Sequence, residues 1–201
     1  PGLVRLAEEQ GVNLLYEASV GGGIPIIGPL QKDLLANHVT SLHAIINGTT
    51  NYILTKMSQE GLDFQTSLLR AQQLGYAEAN PEYDIEGVDA AFKLVIMATL
   101  AFHTQVVVSD VYREGISRLS ARDFQYAQEL GYTIKLLAIA RRRDNTLSLR
   151  VHPALVPQDH LLAKVDGAFN AVEVEGDLVG HVVFHGQGAG PQPTSSAVLG
   201  D

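Results

Sequence analysis

The second half of the sequence contains two pairs of apolar segments, each pair separated by a short turn. The first pair is "YTIKLLAIARRR" and "TLSLRVHPALV", with Asp144-Asn145 between them. Apolar and polar residues alternate from Leu147 to His152, as in a strand with one buried face. The second pair lies within "NAVEVEGDLVGHVVFHG", around Gly176-Asp177. This pattern predicts two antiparallel hairpins.

The first half of the sequence is typical of helices. Predicted helices follow Asp63 as an N-cap and Ser120 with Asp123 as a capping box. A long apolar helix is predicted from Val88 to His103, and its lack of a polar face predicts burial on all sides. Helices followed by antiparallel strands predict an α+β fold, with a mixed β-sheet and helices packed on one face.

The beginning of the chain reads as the second half of a strand-helix-strand unit. A helix stops near Gly11, and an apolar strand is predicted from Leu14 to Val20. The first strand of such a unit would lie before Pro1. We therefore expect a fragment from which a parallel-sheet domain has been removed.

Composition excludes several classes of function. The net charge of -8 argues against a nucleic-acid partner, because such binding depends on lysine and arginine. The absence of cysteine excludes disulfides, zinc-thiolate sites and thiol nucleophiles. No segment approaches the roughly 20 apolar residues of a membrane span, and none resembles a signal peptide. The expectation is a cytoplasmic protein without a membrane partner.

The stretch "EANPEYDIEGVDAAFK", residues 78–93, places five acidic residues before one lysine, Lys93. Asp89 and Lys93 share one helix face, and an exposed pair of this kind contributes roughly 0.2–0.5 kcal/mol. The alternative is a lysine held by several carboxylates at the start of an apolar helix. Such a cluster could bind an ammonium group or transfer a proton to or from an oxygen. Both interpretations remain open at this point.

Three glycine-containing segments have two interpretations each. "YEASVGGGIPII" does not match G-x-G-x-x-G, so it is either a tight strand exit or a backbone surface for a hard cation or flat ring. "NGTTNYI", with Thr49 and Thr50 as candidate N-caps, is an ordinary capped helix or an anion-binding N-terminus. "FHGQGAGPQPTSSAV" is a connector or a phosphate-facing loop.

Four segments in a fixed order resemble one enzyme family. They are "YEASVGGGIPII", "INGTTNYILTKM", "AQQLGYAEANPEYDIEGVDAAFKL" and "GAGPQPTSSAV". Together they are similar to the catalytic and dimerisation region of homoserine dehydrogenases, from about Leu14 to Leu199. Members of that family interconvert L-homoserine and L-aspartate 4-semialdehyde with NAD or NADP, in threonine, methionine and isoleucine biosynthesis.

The resemblance implies roles for individual residues. Lys93 matches the lysine that transfers a proton at the substrate oxygen. The positions that match the substrate site are Glu78, Asp84, Asp89, Thr49, Gly48 and Tyr76. Gly188 matches a glycine near the cofactor. The backbone oxygens that match a monovalent-cation site, with sodium as the expected ion, belong to Glu17, Val20, Gly22 and Ile24.

The resemblance also implies domain boundaries. Residues 1–13 would be the end of a truncated nucleotide-binding domain or a connecting helix. Residues 14–190 would form the substrate-binding, catalytic and dimerisation domain of a homodimer, and residues 191–201 would begin a truncated C-terminal helix. The alternative is a module on the same scaffold that dimerises or binds a ligand without catalysis.

The chain departs from the family pattern in two respects. The nucleotide-binding domain with G-x-G-x-x-G is absent, together with a second active-site lysine, so the choice between NAD and NADP lies outside this chain. Asn80 occupies a position where the family usually has aspartate. We expect residues 1–201 alone to show no dehydrogenase activity.

Overall fold

A mixed six-stranded sheet forms the centre of the fold. The computed structural model describes residues 2–201, without the side chains of Arg5 and Glu8. The strands are β1 Val39–Ile45, β2 Val111–Arg113, β3 Tyr132–Arg143, β4 Thr146–Pro157, β5 Phe169–Gly176 and β6 Gly180–Gln187. Their order is β2-β4-β3-β1-β5-β6. Only β2 and β4 pair in parallel, which confirms the predicted mixed sheet.

Both predicted hairpins are present. β3 and β4 pair from Arg143 opposite Thr146, and Asp144 takes the left-handed conformation (φ 53°) in the turn between them. A short-chain polar residue such as aspartate tolerates this conformation well. The second turn lies between Gly176 and Gly180, which pair with each other at the end of β5 and β6.

Seven α-helices are described. They are α1 Gly2–Gln10, α2 Gly48–Glu60, α3 Phe64–Gln73, α4 Glu82–Ile85, α5 Val88–Phe102, α6 Ala121–Glu129 and α7 Pro191–Gly200. The predicted caps Asp63 and Ser120 with Asp123 are confirmed. Thr49 and Thr50 instead lie in the first turn of α2, whose N-cap is Asn47. No helix within residues 2–201 has both the length and the apolar character of a membrane span.

The main hydrophobic core lies between the sheet and helices on one of its faces. Leu42 of β1, Ile53 of α2 and Leu94 of α5 are completely buried in it. Ile45 points to the opposite face, in a smaller cluster covered by the 3₁₀ turn Leu161–Lys164. Successive strand residues thus point to opposite faces. The predicted packing of the helices on one face is confirmed.

The predicted strand from Leu14 to Val20 is wrong. This segment is irregular and then forms a 3₁₀ turn, Glu17–Ser19. The Glu17 carboxylate accepts hydrogen bonds from the backbone N–H groups of Ile26, Ile27 and Gly28, at 2.6, 2.7 and 2.7 Å. These bonds fold the chain back on itself, and the apolar sequence pattern contained no sign of them.

The prediction that α5 is buried on all sides is also wrong. Its inner side packs against the sheet, with Leu94 and Met97 completely buried. Phe92 on its outer side is 47% exposed and stacks on Tyr83, with ring centroids 6.1 Å apart. Helix α5 therefore lacks a polar face because its inner side is buried and its outer side carries an exposed apolar residue.

His43 on β1 makes folding stability dependent on pH. Burial lowers the pKa of His43 below its ordinary value of 6.5, although Glu173, opposite it on β5, acts in the other direction. The unfolded chain therefore binds more protons than the folded protein just below pH 6.5. We expect the free energy of unfolding to be highest above pH 6.5 and to fall as the pH drops below it.

Urea unfolding at several pH values between about 5 and 8 tests this dependence on the histidine. His43→Gln should flatten the acid side of the stability profile. His185→Gln, at an exposed histidine on β6, is the matched control. An identical acid slope in wild type and His43→Gln would contradict the assignment.

Candidate functional site

The acid-lysine cluster lies where β1 ends and α2 begins. Lys93 on α5 donates from Nζ to Asp89 Oδ2 at 2.7 Å and to the backbone oxygen of Ile46 at 3.1 Å. The Lys93 and Asp89 side chains are 22% and 23% exposed, so both are mostly shielded from solvent without being completely buried. This geometry favours the held lysine over the freely solvated ion pair.

Asn47 connects the two aspartates, and sequence reasoning missed it. Its Nδ2 donates to Asp84 Oδ1 at 2.7 Å and to Asp89 Oδ2 at 2.9 Å. Its Oδ1 accepts from the backbone N–H of Thr50 at 2.9 Å and so caps α2. The signal in the sequence was an asparagine between a strand and Gly48, because asparagine is a preferred N-cap.

The short break between α4 and α5 brings both aspartates to Asn47. Gly87 forms this break with a left-handed backbone (φ 72°). A Cβ there would lie 2.9 Å from Cγ1 of Val151, so glycine is needed for both conformation and space. Asp84 on α4 and Asp89 on α5 can thus approach the same amide.

The first turn of α2 is fixed on two sides. Thr49 Oγ1 donates to the backbone oxygen of Tyr76, and the Tyr76 ring packs on Tyr52 with centroids 4.8 Å apart. At Gly48, a Cβ would lie 2.9 Å from the backbone oxygen of Ala168. The structure therefore places three predicted substrate-site residues, Gly48, Thr49 and Tyr76, around one helix start.

Glu78 lies apart from the cluster that Lys93 forms. Its side chain is exposed, and no hydrogen bond or ion pair joins its carboxylate to Lys93, Asp84 or Asp89 within residues 2–201. Its backbone oxygen accepts from Gln72 Nε2 at 3.0 Å. Of the three predicted acids, only Asp84 and Asp89 share a partner.

A buried lysine holds the loop that contacts Gly48. Lys135 on β3 donates from Nζ to the backbone oxygen of Val165 at 2.6 Å and to Asn51 Oδ1 at 3.3 Å. Burial lowers the pKa of Lys135, while the nearby Asp166 carboxylate acts in the opposite direction. Sequence reasoning missed this group because a single lysine within a strand carries no distinctive pattern.

The two glycine-rich segments contact each other. A side chain at Gly22 would overlap the backbone carbonyl of Gly188, and a Cβ at Gly23 would lie 2.6 Å from Cβ of Pro193. The Gly23 N–H also donates to the backbone oxygen of Gln187 at 3.2 Å. The predicted cofactor residue Gly188 therefore lies beside the loop that holds the predicted cation ligands Glu17, Val20, Gly22 and Ile24.

The sequence is similar to known proteins over nearly its whole length. A family model described as homoserine dehydrogenase matches residues 25–201. A homoserine dehydrogenase of Neisseria gonorrhoeae is 53% identical over 196 residues, which are 98% of this chain and 45% of that protein. The chain thus spans about half the length of the curated relatives it matches.

Solved structures are similar over the same region. A crystal structure of a homoserine dehydrogenase from Thiobacillus denitrificans has a TM-score of 0.97 and 51% identity, covering 99% of this chain and 46% of that one. A hyperthermophilic archaeal homoserine dehydrogenase in complex with NADPH has a TM-score of 0.84 and 30% identity. The similar region covers 99% of this chain and 57% of the archaeal chain.

Proposed function

Because this chain belongs to the homoserine dehydrogenase family, we propose that it forms the catalytic region of an enzyme interconverting L-homoserine and L-aspartate 4-semialdehyde. The reaction belongs to amino-acid biosynthesis. Residues 14–190 would be the substrate-binding, catalytic and dimerisation domain. Residues 1–13 would be the end of a nucleotide-binding domain or a connecting helix, and residues 191–201 the start of a C-terminal helix. The observation that carries the proposal is the linked set Lys93, Asp89, Asn47 and Asp84.

Lys93 is proposed as the proton-transfer group. When hydride reaches the aldehyde carbon, negative charge develops on its oxygen, and an ammonium group placed there stabilises and protonates that oxygen. In the reverse direction the amine accepts the hydroxyl proton. Asp89 and the Ile46 carbonyl fix the direction of Nζ, which is what a proton donor of defined geometry requires.

The two aspartates are proposed to bind the ammonium group of the amino-acid substrate. Each accepts one hydrogen bond from Asn47, and a carboxylate has further lone pairs for a charged donor. Thr49, Gly48 and Tyr76 are proposed to line the same pocket at the start of α2. Glu78 would join them only once substrate or the rest of the protein brings it nearer.

NAD or NADP is proposed as the cofactor, and when bound it supplies or accepts the hydride. Gly188 is the residue of this chain proposed to lie beside the cofactor, and it packs backbone against backbone with Gly22, where a side chain would overlap the Gly188 carbonyl. The archaeal relative in complex with NADPH supports this proposal. Backbone carbonyls suit a hard cation, so Glu17, Val20, Gly22 and Ile24 are proposed to hold sodium.

A homodimer is proposed through the sheet face away from the main core. Half-buried apolar side chains on that face, such as Ile139 and Val183, support this assembly. The alternative of a module without catalysis is not favoured, since such a module would not need an oriented lysine beside two linked aspartates. A cytoplasmic location stays a prediction from composition.

The experiment uses the full-length protein that contains this chain. L-Homoserine oxidation is followed by the absorbance of the NADH or NADPH formed. Residues 1–201 alone are assayed in the same way as a separate sample. We expect turnover by the full-length protein and none by residues 1–201. The proposed function would be contradicted if the full-length protein showed no turnover and bound neither homoserine nor the cofactor.

A further inference from the structure

The corner between α4 and α5, residues 85–88, is flanked by the two aspartates of the candidate site. Helix α4 has only one turn, and no side chain of the described chain caps the N-terminus of α4 or of α5. A helix of a single turn is not stable by itself. Asp84 and Asp89 are like charges that share one amide, so they repel each other. The position of the two carboxylates must therefore depend on contacts from another part of the fold.

The segment that follows β2 supplies such contacts. The Ile116 N–H donates to the backbone oxygen of Ile85 at 2.8 Å. Arg113 Nη1 donates to the backbone oxygen of Glu86 at 2.8 Å. Ser117 Oγ donates to the Glu86 carboxylate at 2.6 Å. Three donors from one segment thus hold two consecutive residues between the aspartates.

This segment, residues 113–117, is itself attached to the sheet. The Glu114 N–H donates to the backbone oxygen of Val151 on β4 at 2.8 Å. A Cβ at Gly115 would lie 2.6 Å from the backbone oxygen of Ile85, so glycine is what permits the close approach to the corner. The segment therefore connects the corner to the rigid centre of the fold.

We propose that Arg113 and Ser117 are positioning residues that hold this corner in place. The aspartates beside it, Asp84 and Asp89, then meet the substrate ammonium together. The inference rests on the proposed function and deepens it, because it concerns how the same site selects an amino acid. Within residues 2–201, neither side chain forms a hydrogen bond to Lys93. The two residues thus act on recognition of the ammonium and not on proton transfer.

The test compares L-homoserine with 4-hydroxybutanoate, which is the same molecule without its amino group. Full-length wild type and the double variant Arg113→Met/Ser117→Ala are assayed for homoserine oxidation, with 4-hydroxybutanoate as a competitive inhibitor. We expect the double variant to lose about tenfold in kcat/KM for homoserine, mainly through KM. The inhibition constant of 4-hydroxybutanoate should change less than about twofold. Equal losses for both molecules, or no loss for either, would overturn the proposal.

Arg142→Met is the matched control for these variants. Arg142 Nη2 donates to the backbone oxygen of Phe102 at 2.6 Å, at the other end of α5. Its loss should lower the melting temperature and leave the constants of both molecules unchanged. A preferential loss of homoserine in this control as well would show that any weakening of α5 has the same effect, and would contradict a specific role of residues 113–117.

Further variants keep the test decisive. Arg113→Lys/Ser117→Thr retains a donor at each position and should recover most of the kcat/KM for homoserine, and no recovery would contradict the role of the two donors. If the double variant does not fold, Arg113→Met and Ser117→Ala are assayed singly, with about threefold losses expected for homoserine alone. Wild type without turnover would instead refute the proposed function, whereas active wild type with equal losses would refute only the positioning role.

Discussion

Lys93→Ala in the full-length enzyme should lower kcat for homoserine oxidation by about 10²–10⁴-fold, the range for a positioned acid-base group. The Lys93 ammonium has three N–H groups. Within the described residues, two of them are directed to Asp89 and the Ile46 carbonyl. The third position faces the substrate oxygen, as an N–H group in the reduction direction and as the lone pair of the neutral amine in the oxidation direction. Because this contact strengthens as charge develops in the transition state, KM should change less than kcat.

Lys56→Ala is the matched control for this variant. Lys56 forms a helical ion pair with Glu60 at 2.6 Å, four residues away, just as Lys93 does with Asp89. It lies on α2 in a partly exposed position, so its loss should leave kcat unchanged. The comparison is made by steady-state kinetics on both purified variants, with melting curves to confirm folding. A Lys93→Ala enzyme with nearly wild-type kcat would refute the proton-transfer role.

Asn47→Ser should lower kcat/KM for homoserine by roughly tenfold to a hundredfold, since hydrogen bonds to charged groups are lost. Without the amide donor, Asp84 and Asp89 repel each other and no longer keep their positions for the substrate ammonium. Most of the effect should appear in KM. Serine retains an oxygen that can cap α2, so the change in the cap itself should cost less than about 1 kcal/mol. The hydrogen bonds lost to Asp84 and Asp89 should lower the free energy of unfolding by about 1.5–3 kcal/mol more.

Asp63→Ser provides the control for the helix cap. Asp63 caps α3 by accepting from the Thr66 N–H at 2.9 Å, as Asn47 caps α2 by accepting from Thr50. The Asp63 variant should lose less than about 1 kcal/mol, as expected for a change in the cap alone, and keep its kinetic constants. Steady-state kinetics and urea unfolding separate the two effects. Equal kinetic constants for Asn47→Ser and wild type would show that Asn47 acts only as a cap.

Local patterns predicted much of the fold. The alternation from Leu147 to His152 and the Asp144-Asn145 turn predicted β3 and β4, because both depend on neighbouring residues. The strand expected from Leu14 to Val20 failed since its conformation depends on Glu17, which binds backbone groups about ten residues later. Apolar sequence alone does not distinguish a strand from a loop held by one carboxylate.

Without the family resemblance, the candidate site was predictable only where its residues are close in the sequence. The spacing of Asp89 and Lys93 on one helix placed them together, and the structure agrees. The contact between Gly22 and Gly188 joins segments from opposite ends of the chain, so no local pattern could reveal it. The link from Asn47 to Asp84 also depends on how β1 meets α4, which is a property of the packed fold.

Chemical rescue of Lys93→Ala is the most direct test of the central claim, that an amine at this position transfers the substrate proton. The substitution leaves space for a small primary amine beside Asp89 and Ile46. With ethylamine in solution, homoserine oxidation by the full-length variant should recover in proportion to amine concentration, and the recovered rate should vary with the pKa of the amine used. If the variant binds homoserine and cofactor as wild type does but no amine restores turnover, Lys93 is not the proton-transfer group.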